Sequence, residues 1–175
     1  MGRRAVLGAV ASFVFCAALD GTARAAPSGD RRLALYNPHT TEHFDDLYWC
    51  DGEYVPGSLT HINWLMRDFH RDVVAPIDID LIDLLHRIAQ RLETDRPLRI
   101  LSGFRTNATN RLLRREGLGA AAHSEHLRAK AADICIDRVP LKHLRRAALS
   151  LRGGGVGTYW QDDFVHVDVG PVRSW

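Results

Sequence analysis

Apolar positions fall into helical and alternating periods along most of this chain. Leu59, Ile62, Leu65, Met66 and Phe69 recur at helical spacing, which predicts a helix capped by Ser58 and ending near Asp72. Pro76 punctuates, and Asp78 caps a second predicted helix whose inward stripe is Leu81, Leu84, Leu85, Ile88 and Leu92. A third runs from Thr106 to Glu116 with Leu112 and Leu113 inward, stopped by Gly117. A fourth starts at Pro140 and carries Leu141, Leu144, Ala148 and Leu151. Alternation marks the strands: Arg32–Asn37 as an edge strand, Leu98–Ser102, Ala131–Ile136 and Phe164–Val169. Asp51-Gly52 between aromatic runs predicts a hairpin, and His39–Val55 otherwise reads poorly, with His39 and His43 in a loop. Gly153–Gly157 closes a helix, lacks the Lys-Ser/Thr of a phosphate loop, and reads as a turn into a strand. Together these elements predict a single α+β domain: a small, mainly antiparallel sheet backed by about four helices.

The first residues change the domain limits. Arg3 and Arg4 precede an apolar run from Ala5 to Leu19, and Ala23-Arg-Ala25 has the small-x-small form of an export cleavage site. The run falls short of the roughly 20 residues that span a bilayer. The division is therefore 1–25 export signal, 26–31 linker and 32–175 domain, with a periplasmic destination by the secretory or twin-arginine route and no stable membrane span after cleavage. The whole chain holds 23 basic and 21 acidic residues. Removing the leader leaves 20 of each, a balance that offers nothing to nucleic acid. Cys50 and Cys135 remain, and an oxidising compartment would allow them to pair.

The chemistry concentrates in Ser124-Glu-His-Leu-Arg-Ala-Lys-Ala-Ala-Asp133 and Phe164-Val-His-Val-Asp168. In the second stretch a period of two places Phe164, His166 and Asp168 on one face and the valines on the other. His126, Asp133 and His166 are two imidazoles and a carboxylate from a loop and two strands, the protein ligands of a catalytic zinc with a fourth position open. The bland alternative makes His126 a loop cap, Asp133 an arginine partner and His166 a half-buried strand histidine. A polar His-x-Asp pair on a packed strand is costly to bury without partners, which favours the metal site. Cys135, two beyond Asp133, shares its face and is a further conceivable ligand. An arginine just past a strand end, as Arg105 is, can be held at a cleft mouth to grip a carboxylate or an oxyanion.

At these residues the chain resembles the zinc D-Ala-D-Ala peptidases, metallopeptidase family fifteen, whose fold is shared with the hedgehog signalling domain. It is closer to the YcbK-like murein endopeptidases. The shared stretches are Ser102-Gly-Phe-Arg105, Asn110, Gly154-Gly-Val-Gly157, Phe164-Val-His-Val-Asp168-Val-Gly170 and Arg173-Ser-Trp175, with Leu35–Thr40 and Arg67-Asp68 upstream. The resemblance implies a zinc-dependent hydrolase of murein stem peptides or cross-links, an endopeptidase before a D,D- or L,D-carboxypeptidase. It implies His126, Asp133 and His166 as metal ligands, Arg105 as stabiliser of substrate and tetrahedral intermediate, and Ser124 as a substrate contact. Asp163 and Asp168 compete as the general base, and either could instead orient an imidazole. The family's glycine in Ser-x-His-x-x-Gly is Ala129 here, at a cost of about 1 kcal/mol if that position needs a positive φ. The rival reading keeps the fold as a secreted module that binds murein or a partner protein without hydrolysis. A disulfide-bonded envelope protein, with Cys50 and Cys135 paired, is a third.

Overall fold

A computed structural model describes residues 29–118 and 120–175; the predicted export leader and the first part of the predicted linker lie outside these. The strands are β1 (Arg31–Tyr36), β2 (His43–Cys50), β3 (Glu53–Tyr54), β4 (Leu98–Ser102), β5 (Ala131–Cys135), β6 (Gly155–Tyr159), β7 (Phe164–Asp168) and β8 (Arg173–Ser174). The helices are α1 (Pro56–Leu65), α2 (Ile79–Arg91), α3 (Asn107–Arg115) and α4 (Leu141–Leu151), with a 3₁₀ turn over Glu125–Arg128. One sheet joins all the strands in the order β3-β2-β1-β4-β5-β7-β6-β8. Only the β1·β4 and β6·β8 pairs are parallel. The α+β class and four helices are as the periodicity predicts, and the sheet is larger than expected.

Three elements depart from expectation. β1 is interior, because Leu35 and Tyr36 pair with Leu98 and Arg99 of β4 on the side away from β2. The stretch that read poorly contains β2, which buries Phe44 and Tyr48 while Asp45 and Asp46 face water. α1 begins at Pro56, whose fixed φ suits a first helical position. Ser58 is therefore inside the helix, where its hydroxyl donates to Leu47 O at 2.6 Å. The helix stops at Leu65, and Asp68 and Val73 exchange backbone bonds in a tight turn that leaves Phe69 outside it. The predicted hairpin is present: Asp51 and Gly52 both adopt positive φ, as a two-residue turn of that handedness requires.

The sheet sorts its side chains by parity. Leu33, Leu35, Leu98, Ile100, Ala132, Ile134, Val165 and Val167 join the core with the apolar faces of α2 and α4. The Asp78 side chain accepts the Asp80 N–H at 3.0 Å and starts α2. The opposite face of β5 and β7 is left for polar groups, and Asp133 and His166 lie directly across from each other there. In β4 a register shift between Ile100 and Ser102 pairs Ser102 with Asp133, so a bulge turns the serine toward the same polar face. In α3 it is Thr109 and Asn110 that are buried, with Leu112 and Leu113 only partly covered.

Asp68 ties this frame together. It is 2% exposed and its carboxylate accepts the Thr106 N–H at 2.8 Å, at the cap of α3. Burial alone would raise its pKa, but hydrogen bonds from Thr109 and Thr106 outweigh burial and hold it below the usual range. The folded pKa is depressed, so this stabilisation is present above the unfolded value near 4 and is lost as pH falls through the folded one. Asp68→Asn is expected to cost about 1–3 kcal/mol at pH 7. Urea titrations at stepped pH should show the gap between variant and wild type closing below roughly pH 4.

Candidate metal centre

Three local devices bring the polar side chains together. Ser124 caps the 3₁₀ turn by accepting the His126 N–H, which aims His126 inward from Glu125–Arg128. Ala129 ends that turn in the left-handed region, φ 57° and ψ 32°, and so returns the chain directly into β5 and Asp133. The family's glycine position does require a positive φ, and alanine is the mildest side chain that meets it. Ala129→Val, a β-branched residue in that region, is expected to cost roughly 2–3 kcal/mol in a denaturation midpoint. β7 supplies His166 through the valine alternation that buries Val165 and Val167.

His126, Asp133 and His166 are 1%, 6% and 8% exposed. His126 Nε2 lies 3.2 Å from both Asp133 Oδ1 and His166 Nδ1, and His166 Nδ1 lies 2.9 Å from the same oxygen. The outer nitrogens set the tautomers. His126 Nδ1 is 2.7 Å from Gly103 O, and His166 Nε2 is 3.1 Å from Asp168 Oδ2, so each must donate outward. Both inner nitrogens are then bare. Two lone pairs and a carboxylate oxygen converge on one point, an arrangement that calls for a cation. Outer-nitrogen donation to a carbonyl and a carboxylate is also how metal-bound histidines are held. The donor set of two imidazoles and one carboxylate therefore fits a divalent ion of the zinc type.

Charge around the cluster agrees with this. Burial would raise the Asp133 carboxyl, but His126, His166 and Arg105 outweigh it and keep it ionised far below its usual range. Burial pushes the His126 imidazole down, toward the neutral form a ligand needs. Burial also acts to lower His166, but bonds to Asp133 and Asp168 outweigh it and raise its pKa.

Arg105 donates through Nη2 to the second oxygen of Asp133 and through Nε to Ser102 Oγ at 2.7 Å. The bulge in β4 is what aims that serine. Asp168 is fully buried and both its oxygens are taken: Oδ1 accepts from Gly155 N, Gly170 N and Arg173 Nη1, Oδ2 from His166 and Arg173 Nη2. Its geometry is that of an orienting group for His166, with no lone pair turned to the cleft. Asp163 is exposed at positive φ and borders a separate hollow with Arg99, Cys135 and Asp137, away from the three ligands. Of the two roles the sequence leaves open to Asp168, general base or partner to an imidazole, these contacts match the second, and Asp163 is not brought to the three ligands. Cys135 is likewise outside the cluster. Cys50 and Cys135 are both free thiols on strands three apart in the sheet order, which overturns the disulfide-bonded reading.

Two hollows meet at the cluster, one of about 110 Å³ toward His123, Ser124 and Trp175, the other of about 740 Å³ toward His39, Phe69 and Phe104. Both are bordered by Arg105, Asp133, Tyr159 and Phe164. The smaller hollow reaches all three ligands, and the larger one reaches Asp133. The sequence marks Gly155, Gly157 and Arg173 only as parts of shared stretches; their place beside this centre comes from the fold.

An α+β domain with a buried His/Asp/His group at the floor of a hollow is a construction that suits a metal-site peptidase. Residues 25–175 match the family model described as peptidoglycan L,D-endopeptidase MepK, and the chain belongs to that family, peptidase M15_2. It is 38% identical over 145 residues to the peptidoglycan L,D-endopeptidase MepK of Escherichia coli K12, covering 83% of this chain and 80% of that protein. It is 35% identical over 146 residues to the probable peptidoglycan L,D-endopeptidase MepK of Haemophilus influenzae, covering 83% and 78%.

Proposed function

We propose that this protein is an exported, zinc-dependent murein endopeptidase that hydrolyses L,D peptide bonds in peptidoglycan cross-links. The observation that carries the reading is the convergence of His126 Nε2, Asp133 Oδ1 and His166 Nδ1 on one point in the cleft floor. Hollows on two sides of Asp133 and Arg105 support an endopeptidase, since chain must extend in both directions from the bond cut. When bound, zinc supplies Lewis acidity, activating water and polarising the scissile carbonyl. Manganese or iron would accept the same donors less typically.

The chain's own residues do the rest. Arg105 borders both hollows, and its Nη1 has no hydrogen-bond partner among the described residues, which leaves it to grip the scissile carbonyl oxygen as negative charge develops. Through Nη2 it also fixes the orientation of Asp133. Asp168 holds His166 in the tautomer with a bare Nδ1. Ser124 orients His126 and borders the smaller hollow, where it is within reach of substrate. The binding-module reading is not favoured, because the three ligands and Arg105 are all in place and the relatives are peptidases. Export rests on the leader at residues 1–25, and the family match begins at residue 25. Among the described residues no helix is long and apolar enough to cross a membrane. The test is digestion of purified cross-linked muropeptides, with products resolved by mass. Release of halves split at the L,D bond, abolished by chelator, is expected; intact cross-links at every metal loading would sink the reading.

A further inference from the structure

The glycines of β6 are explained by what lies on them. β8 runs parallel to β6, with Gly155 opposite Arg173, and Trp175 makes two backbone bonds to β6: its N–H donates to Val156 O and its backbone oxygen accepts from Thr158 N. Gly155 and Gly157 alternate onto one face. A Cβ on Gly155 would stand within 2.5 Å of both Asp168 Oδ2 and Arg173 Nη1, and one on Gly157 would stand 2.5 Å from Trp175 Cε2. A larger residue at Gly155 would part the Arg173 guanidinium from the Asp168 carboxylate, and one at Gly157 would push the indole off the sheet. The bare strand is a seat for those two side chains.

What they do there points to the metal centre. Arg173 grips Asp168 with both terminal nitrogens, at 3.1 and 2.7 Å, and Asp168 in turn holds His166 Nε2. The guanidinium sits 5.1 Å from the Trp175 ring centroid, and the indole lies 5.4 Å from the His166 ring. Gly157 is the cross-strand partner of His166, so the missing side chain is what lets the indole come beside the imidazole. Trp175 also borders the smaller hollow with Tyr159, to whose hydroxyl its Nε1 donates at 3.4 Å. A ring whose main work was stability would be buried, whereas this one is 51% exposed.

We propose that Arg173–Trp175 is a clasp, seated on the glycine floor of β6, that positions His166 through Asp168 and so sets how tightly the centre holds its metal. Arg173 and Trp175 are positioning residues, and the proposal rests on the metal-centre reading above. Groups that orient metal-binding histidines commonly change affinity by about 10–100-fold when removed.

The experiment loads purified wild type, Trp175→Ala, Arg173→Lys and Gly157→Val with cobalt(II), records the visible absorption spectrum, and times transfer of the metal to a colorimetric chelator. Arg173→Lys keeps the charge beside Asp168 and removes the two-toothed grip. Gly157→Val displaces the indole without altering the segment itself. Release faster than wild type by about tenfold or more, with an altered cobalt spectrum, is expected for all three. Wild-type spectrum and release rate in Trp175→Ala or in Arg173→Lys, with the fold retained by circular dichroism, would overturn the clasp. A wild type that takes up no cobalt or zinc would instead sink the metal-centre reading on which it rests.

Discussion

His126→Ala is expected to abolish bound metal and to lower cross-link cleavage by at least about 10³-fold. The imidazole is the only one of the three ligands delivered by the 3₁₀ turn, and its ring is fixed from behind by Gly103 O at 2.7 Å. Removing it leaves two donors, too few for a closed-up zinc site, and exposes a buried carbonyl without a partner. The unpaired carbonyl costs about 1–3 kcal/mol of stability, a fraction of what a domain of this size carries. The variant should therefore stay folded while losing metal, and elemental analysis beside circular dichroism separates the two effects. A metal-replete, active His126→Ala protein would be incompatible with the site.

Arg105→Ala carries the second largest effect. Its guanidinium braces Asp133 and Ser102 on one side and faces the cleft on the other. Loss of a donor that meets developing charge on an oxygen typically costs about 10²–10³-fold in kcat. The kinetic split distinguishes roles: a fall in kcat with metal content retained is expected, because the three ligands remain. Arg105→Lys should recover little, since an ammonium cannot span Ser102, Asp133 and substrate together. If Arg105→Ala keeps wild-type kcat and only raises KM, Arg105 serves binding alone and the charge-stabilising role is lost.

What could be read from the chain before folding was the local pattern. The valines of β7 declared which face His166 and Asp168 share, and the spacing from His126 to Asp133 brackets one turn and one strand entry. The positive φ at Ala129 was also legible, through the resemblance to a family whose residue there is glycine. Long-range pairing was not. Nothing local in Arg31–Tyr36 says that β1 lies beside β4, which follows it only after two helices. β2 was hidden because Asp45 and Asp46 interrupt its alternation at consecutive positions. The bulge that turns Ser102 toward Arg105 depends on the register of β4 against β5. Asp168 resembled a catalytic carboxylate because its neighbour is a ligand; that Arg173 and two backbone N–H groups saturate it depends on β8 folding back over β6. The glycines of Gly153–Gly157 suggested a turn, and their use as a seat for Arg173 and Trp175 became visible only with those side chains in place.

The most direct test of the account is a metal titration of the chelator-stripped protein, residues 26–175, followed by cleavage of a purified L,D-cross-linked muropeptide dimer at each zinc loading. Cleavage should be absent without metal and rise linearly to a plateau at about one zinc per chain, the stoichiometry of a single three-ligand site. Cleavage that persists in the stripped protein, or zinc that binds without restoring any cleavage, would contradict it.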